Sequence, residues 1–226
     1  IGGAGHIGLP LGLLFANKGK KVVLYDKDQN HIKKINDLKM PFMEDGGIKL
    51  LKKNKARIFA TTDKRYIKGA KIIIVCIGTP VKKNKPNLVY FFKMFREVKQ
   101  FLNHKNLLVI RSSIYPGTCL KIQKYLGQKF NNISYCPERV VQGKSIVELP
   151  KLPQIVSGVS QKSIKQSQKL FKLICRKTIV TSILEAELIK LFSNAWRYIN
   201  FSISNQFYQI SEKFNINYKV LRENMI

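Results

Sequence analysis

A doubly wound α/β fold, with a mostly parallel sheet followed by one long helix, is what three features of this sequence predict. Gly3, Gly5 and Gly8 form G-x-G-x-x-G, the pattern of a tight turn that leads from a strand into a helix and cradles a pyrophosphate. Short apolar runs then alternate with segments of helical periodicity as far as residue 181, and such alternation with short links builds parallel strands with right-handed crossovers. From residue 184 to about residue 214 the chain has neither Gly nor Pro and carries apolar residues at helical spacing.

Each glycine of the turn meets a different requirement. The first permits the turn, the second lets backbone approach phosphate, and the third lets helix and strand pack closely. Backbone N–H groups at the new helix start then face the anion. Residues 9–18, with small Gly12 and Ala16 among apolar neighbours, predict the helix, and Gly19 closes it. Residues 22–25 read as a buried strand ending in Asp26. An acid about twenty residues past the glycines accepts hydrogen bonds from an adenosine ribose and repels a 2′-phosphate, so NAD is expected rather than NADP. The same Asp26, followed by Lys27 and Asp28, also fits a polar helix start. His31, on the next helix, reads as a solvated polar residue.

That helix continues through residues 32–38, residues 41–47 break the chain, and a short helix follows over 48–53. Residues 57–61 predict a strand and then a helical turn. The run of Ile and Val in 71–77 is the clearest buried parallel strand, ending in Gly78, Thr79 and Pro80 at the edge where open α/β sheets bind ligands. Residues 81–86 read as a basic, mobile loop, 88–102 as a helix and 106–111 as a strand. A second strand-end loop, residues 112–118, opens the next helix at Gly117 and Thr118. Strands are expected over 132–136, 154–157 and 178–181, with a helix over 161–174. A helix of about thirty residues spans on the order of 45 Å, the length of a domain linker or dimer interface. The expected organisation is a Rossmann-type domain over residues 1–183 and a long-helix region over 184–226.

Composition narrows the class. Hydrophobic residues at 45% and charged residues at 24% describe a globular chain. Its longest apolar runs are strand-sized, so no membrane partner is expected. The four cysteines, Cys76, Cys119, Cys136 and Cys175, have no metal-ligand spacing, which predicts reduced thiols, a cytoplasmic protein and no metal site. Lys and Arg number 41 against 13 Asp and Glu, a net charge of +28. The lysines are spread over almost every segment, so a general basic drift is preferred to a dedicated nucleic-acid surface. The bare start at Ile1 and the abrupt stop at Ile226 suggest a fragment at both ends.

Six stretches in order, GGAGHIGLPLG, VVLYD, CIGTP, SSIYPGT, CPERVVQGK and EAELIKLFSNAWRYIN, resemble the nucleotide-sugar 6-dehydrogenase family, which includes UDP-glucose and UDP-N-acetylmannosamine dehydrogenases. The resemblance extends over essentially the whole chain. It implies NAD-dependent oxidation of a UDP-sugar C6 alcohol through an aldehyde to a carboxylate. A cysteine from a carboxyl-terminal domain captures the aldehyde, which splits a hard oxidation into feasible steps. It further implies that Gly3, Gly5, His6, Ile7 and Gly8 form the pyrophosphate turn, that Asp26 meets the adenosine ribose, and that Thr79 and Ser113 lie toward the nicotinamide. Ser113 stands where the family usually has threonine and keeps the hydroxyl that positions water; His6 replaces a frequent tyrosine. Glu138 matches an acid that assists the hydrolytic water, although pairing with a nearby Arg or Lys explains it equally well.

Arg139 and Val140 resemble the substrate-contacting pair of the N-acetylhexosamine branch, which favours an N-acetylated sugar over UDP-glucose. Lys190, Asn194 and Arg197, at offsets of four and three, share one helix face. The resemblance gives the lysine the charge developing on the C6 oxygen, the asparagine the sugar or an ordered water, and the arginine the substrate. A cation aimed at an oxyanion is worth most in a closed, dry cleft. The family's glycine-rich segment with its nucleophilic cysteine is absent from this sequence, as is the UDP-binding domain. Two other classes therefore stay open beside the enzyme, which is expected to be a homodimer through the long helix: a noncatalytic dinucleotide-binding protein and a basic nucleic-acid-binding protein.

Overall fold

The computed structural model describes residues 1–82 and 85–225. It separates into two compact units, Ile1–Leu188 and Ile189–Ile226. In the first, helix α1 (Gly8–Asn17) leads to strand β1 (Val22–Tyr25), α2 (Gln29–Asn36), α3 (Gly47–Lys53), β2 (Ile58–Thr61) and β3 (Ile72–Val75). Strands β4 (Val81–Lys82) and β5 (Lys85–Pro86) pair antiparallel where a loop is expected, and the middle of that expected mobile loop, residues 83–84, lies outside the described residues. Helix α4 (Val89–Val98), β6 (Leu107–Ile110), α5 (Thr118–Leu126), β7 (Ile133–Tyr135), α6 (Ser145–Glu148), β8 (Gln154–Gly158), α7 (Gln161–Phe171) and β9 (Thr178–Val180) complete the alternation.

Strands β1 and β2 pair in parallel, and five strands run in the order β3-β6-β7-β8-β9. Residues 1–3 join the two sets. The Gly3 N–H donates to the Tyr25 carbonyl at 3.0 Å and the Cys76 N–H to the Ile1 carbonyl at 2.8 Å. The lateral order is thus β2, β1, residues 1–3, β3, β6, β7, the order of a Rossmann sheet, whose direction of winding reverses between the first segment and β3. The pairing of β7 with β8 is antiparallel, so the parallel sheet carries one reversed junction.

Helix α1 explains why this half of the molecule holds together. Its residues 8–16 are all buried. Leu9 and Leu13 enter a core with Leu24, Ile32, Ile35, Leu51 and Ala60; Leu11, Leu14 and Phe15 enter another with Val109, Val156 and Phe171. A helix that is apolar all round is a buried helix, and each such side chain contributes about 1.5–3 kcal/mol. Gly12 lets α1 lie close to β1: a Cβ there would lie 2.7 Å from Leu24 Cδ2, and that side chain would have to shift.

Helix α8 (Ile183–Lys213) begins in the first unit and crosses into the second. Ser182 and Glu185 cap it reciprocally: the Ser182 Oγ accepts the Glu185 N–H at 3.3 Å, and the Glu185 carboxylate accepts the Ser182 N–H at 2.9 Å. After Asn215 at φ 53°, helix α9 (Tyr218–Met225) follows, beyond the single helix expected over residues 184 to about 214. Phe192, Trp196 and Phe201 on α8 are 66%, 68% and 64% exposed. Among the described residues no helix is long and apolar enough to cross a membrane, and no group of His, Cys, Asp or Glu is arranged to hold a metal ion.

Candidate dinucleotide site at the carboxyl edge of the sheet

The glycine turn opens from the junction between residues 1–3 and α1. A Cβ on Gly3 would lie 2.8 Å from Leu24 Cα, and one on Gly8 would lie 2.7 Å from Gly3 Cα. Packing alone therefore excludes side chains at both. Gly5 differs, because its Cβ would meet nothing closer than the Gly2 carbonyl oxygen at 3.8 Å. The room in front of Gly5 is a cradle that a side chain would fill, and it fits a pyrophosphate lying against backbone. Helix α1 has no side-chain cap and no acidic residue in its first turn; the Leu9 N–H already meets the Gly5 carbonyl at 3.0 Å, and the positive end of the helix dipole faces the place of an anion.

Asp26 stands at the end of β1. Its Oδ2 accepts the Ala4 N–H at 3.0 Å and its Oδ1 the Asp28 N–H at 3.2 Å, so it braces the turn from the next strand. The helix-start reading belongs to its neighbour: Asp28 caps α2 by accepting the His31 N–H at 3.0 Å. His6 stacks on Phe42 with centroids 3.9 Å apart, and His31 meets the same ring at 6.3 Å. Desolvation, then the nearby His31, lowers the His6 pKa. Ile7 is half-buried at the start of α1.

The two other strand-end loops are tied together, the Thr79 hydroxyl donating to the Ser113 carbonyl. Glu138 is buried and paired with Arg111, whose side chain is fully buried. The Glu138 Oε1 also accepts the N–H groups of Arg139 at 2.8 Å and Val140 at 3.1 Å. Of the two readings of Glu138, the geometry supplies the ion pair directly. Arg111 further donates to the Cys136 carbonyl at 3.1 Å and Gln154 Oε1 at 3.0 Å, and lies 5.0 Å over the Phe171 ring. The Arg139 guanidinium reaches the Pro153 carbonyl, and Val140 packs beside the core.

Two residues escaped the sequence reading. Arg111 sits at the end of a strand of apolar residues, where a lone cation signals a buried partner. Glu187 accepts the Gly117 N–H at 2.5 Å and the Cys119 N–H at 2.9 Å, filling the start of α5. Nothing local in the sequence marks that contact. All four thiols are pushed up by desolvation: Cys136 to about 12, Cys119 well above its ordinary value with the Glu187 charge adding to the effect, and Cys76 and Cys175 in the same direction.

Within Ile189–Ile226, the Lys190 ammonium donates to Asn194 Oδ1 at 3.2 Å, and Lys190, Asn194 and Arg197 are all half-buried. The trio thus shares the more covered side of α8, whereas Phe192, Trp196 and Tyr198 stand exposed.

The chain is 31% identical to a UDP-N-acetyl-D-mannosamine dehydrogenase of Pyrococcus horikoshii, over 95% of this chain and 54% of the relative. It is 30% identical to that of Campylobacter jejuni, over 95% of this chain and 57% of the relative. The chain therefore spans about half the length of the curated relatives it matches. The solved UDP-D-ManNAc dehydrogenase of Pyrococcus horikoshii superposes with a TM-score of 0.87 at 29% identity, covering 97% of this chain and 55% of that one. A ternary complex of GDP-mannose dehydrogenase from Pseudomonas aeruginosa shares the fold, with a TM-score of 0.87 at 21% identity, covering 97% of this chain and 54% of the other. Residues 1–175 match the NAD binding domain of the UDP-glucose/GDP-mannose dehydrogenase family, and the chain belongs to that family.

Proposed function

We propose that this chain supplies the NAD-binding part of a dehydrogenase that oxidises the C6 alcohol of a UDP-sugar to the uronic acid, with a UDP-N-acetylhexosamine of the N-acetylmannosamine type as substrate. The observation that carries the reading is the Lys190–Asn194 contact of 3.2 Å, a cation and an amide held together on one helix face. Its support comes from relatives named for UDP-N-acetyl-D-mannosamine and from the Arg139–Val140 pair.

Bound NAD would take one hydride in each of two successive oxidations, alcohol to aldehyde and captured aldehyde to acid, so that two NAD would carry the four electrons lost at C6. In this reading Gly3, Gly5, His6, Ile7 and Gly8 hold the pyrophosphate, Asp26 the adenosine ribose, and Thr79 and Ser113 the nicotinamide side. The Lys190 ammonium neutralises charge developing on the C6 oxygen, where a preorganised donor is most effective. Asn194 keeps that ammonium oriented and contacts the sugar, while Arg139, Val140 and Arg197 bind substrate. Ser113 positions the hydrolytic water. Glu138 acts on the same water only through a rearranged ion pair, and as it stands it fixes the backbone of Arg139 and Val140.

None of the four cysteines is assigned as nucleophile, because a thiolate does the attacking and desolvation disfavours it at each of them. The capture cysteine and the UDP-binding domain are assigned to sequence outside these 226 residues. The proposal divides the chain into residues 1–183 and 184–226 and places a homodimer contact on the exposed aromatic side of α8. It places the protein in the cytoplasm, supplying uronic acids for polysaccharide biosynthesis. The test is NADH formation by the protein expressed from its full reading frame, on a panel of UDP-sugars. UDP-N-acetylmannosamine should exceed UDP-glucose in kcat/KM by about tenfold or more, the lower end of what pocket contacts discriminate. A preference for UDP-glucose would transfer the assignment to UDP-glucose 6-dehydrogenase, and NAD binding with no turnover of any sugar would make the protein a noncatalytic NAD binder.

A further inference from the structure

Glu187 is completely buried near the start of α8, inside the unit Ile1–Leu188. Its two carboxylate oxygens accept the Gly117 and Cys119 N–H groups at 2.5 and 2.9 Å, across 70 and 68 residues of sequence. A helix start needs acceptors for its first N–H groups, and a Ser, Thr, Asn or Asp at the cap position ordinarily provides one. Position 117 is instead a glycine at φ +83°, with no side chain to cap α5. The cap has been moved to another helix, and the start of α5 is thereby fixed to the start of α8. The same 112–118 loop carries Ser113, whose carbonyl accepts the Thr79 hydroxyl. One connected path therefore runs along the carboxyl edge from Glu187 through the 112–118 loop to the loop after β3. The glycine turn is braced separately, by Asp26.

We propose that Glu187 is a positioning residue for the nicotinamide end of the NAD site, setting the 112–118 loop and through it Thr79, while the adenosine and pyrophosphate end is held without it. The proposal rests on the placement of Thr79 and Ser113 toward the nicotinamide. It separates two ligands that share the adenosine end: NAD, and ADP-ribose, which lacks the nicotinamide. Calorimetric titration of the chain and of Glu187→Gln with both ligands tests it. The unsubstituted chain should bind NAD more tightly than ADP-ribose. In Glu187→Gln, NAD affinity should fall about tenfold, the effect of one lost charge-assisted hydrogen bond, while ADP-ribose affinity stays within about twofold. Glu187→Asp, which keeps the carboxylate one methylene shorter, should give an intermediate ratio, and it carries the test alone if Glu187→Gln does not fold. An unchanged ratio, or equal losses for both ligands, overturns the positioning role. If the unsubstituted chain prefers NAD to ADP-ribose and only the variants fail to alter that preference, the NAD assignment stands and the Glu187 proposal falls. If it binds neither ligand, the NAD assignment of this site falls and takes the proposal with it.

Discussion

An added methyl group would meet backbone at Gly3 and Gly8 but open space at Gly5. The different requirements on the three glycines are therefore separable by experiment. Gly8→Ala should destabilise the chain by on the order of 1–3 kcal/mol, the scale of overpacking. Gly5→Ala should leave thermal unfolding within about 3 °C of the parent, since less than about 1 kcal/mol is at stake, yet weaken NAD by about tenfold or more as its Cβ enters the pyrophosphate cradle. Thermal unfolding and NAD titration of the two variants provide the check; normal NAD binding by Gly5→Ala would remove the cradle assignment. Asp26 shows what the sequence left open at this scale. Two acids follow β1, and either could cap a helix; only the fold sends Asp28 to the His31 N–H and Asp26 back to Ala4. Glu138 is similar. Its motif identified the residue, but its partner Arg111 lies 27 positions away and is joined to it only by the pairing of β6 with β7.

Arg111 directly follows strand β6, and the segment after β7 carries Glu138, so their ion pair fastens two neighbouring strand ends beneath the carboxyl edge. Arg111→Met leaves a carboxylate buried without its guanidinium, at a cost on the order of 3–5 kcal/mol. Replacing both partners with Met removes both charges, and the double variant should be less destabilised than Arg111→Met alone. Urea unfolding midpoints of the two proteins decide this, and equal or additive losses would mean that packing of the guanidinium over Phe171, not charge, is what the site needs. At the level of elements the sequence was largely legible where long patterns were involved. The apolar runs of β3 and β6 and the uninterrupted periodicity of α8 each admit one reading. The antiparallel pairing of β8 was not legible, because a buried strand of either direction has the same apolar composition. Helix α6, with four residues, is too short to show a period. The start of α8 was readable in principle, since Ser182 and Glu185 stand at capping-box spacing.

Over the whole molecule the net charge is +28, from 41 Lys and Arg against 13 Asp and Glu. The charged contacts that build the candidate site are few and local: Asp26 on backbone N–H groups, Glu138 on Arg111, Glu187 on the start of α5. Most lysines are instead half-exposed or exposed and distributed along the chain. A field of that kind attracts any polyanion, chiefly through release of condensed counterions, and gives little sequence preference. The pyrophosphate of NAD, by contrast, is assigned to backbone groups at the start of α1, where two charges and fixed dipoles are involved. Salt should separate the two. Binding of a random-sequence DNA duplex, followed by fluorescence anisotropy, should lose on the order of 10³-fold in affinity or more between about 50 and 200 mM salt. NAD affinity over the same range should fall by less than about tenfold, because so few charges are neutralised. Two duplexes of unrelated sequence should bind alike. DNA or RNA binding that survived the higher salt and distinguished sequences would require a dedicated nucleic-acid surface, and the lysine excess would then have to be read as function and not as composition.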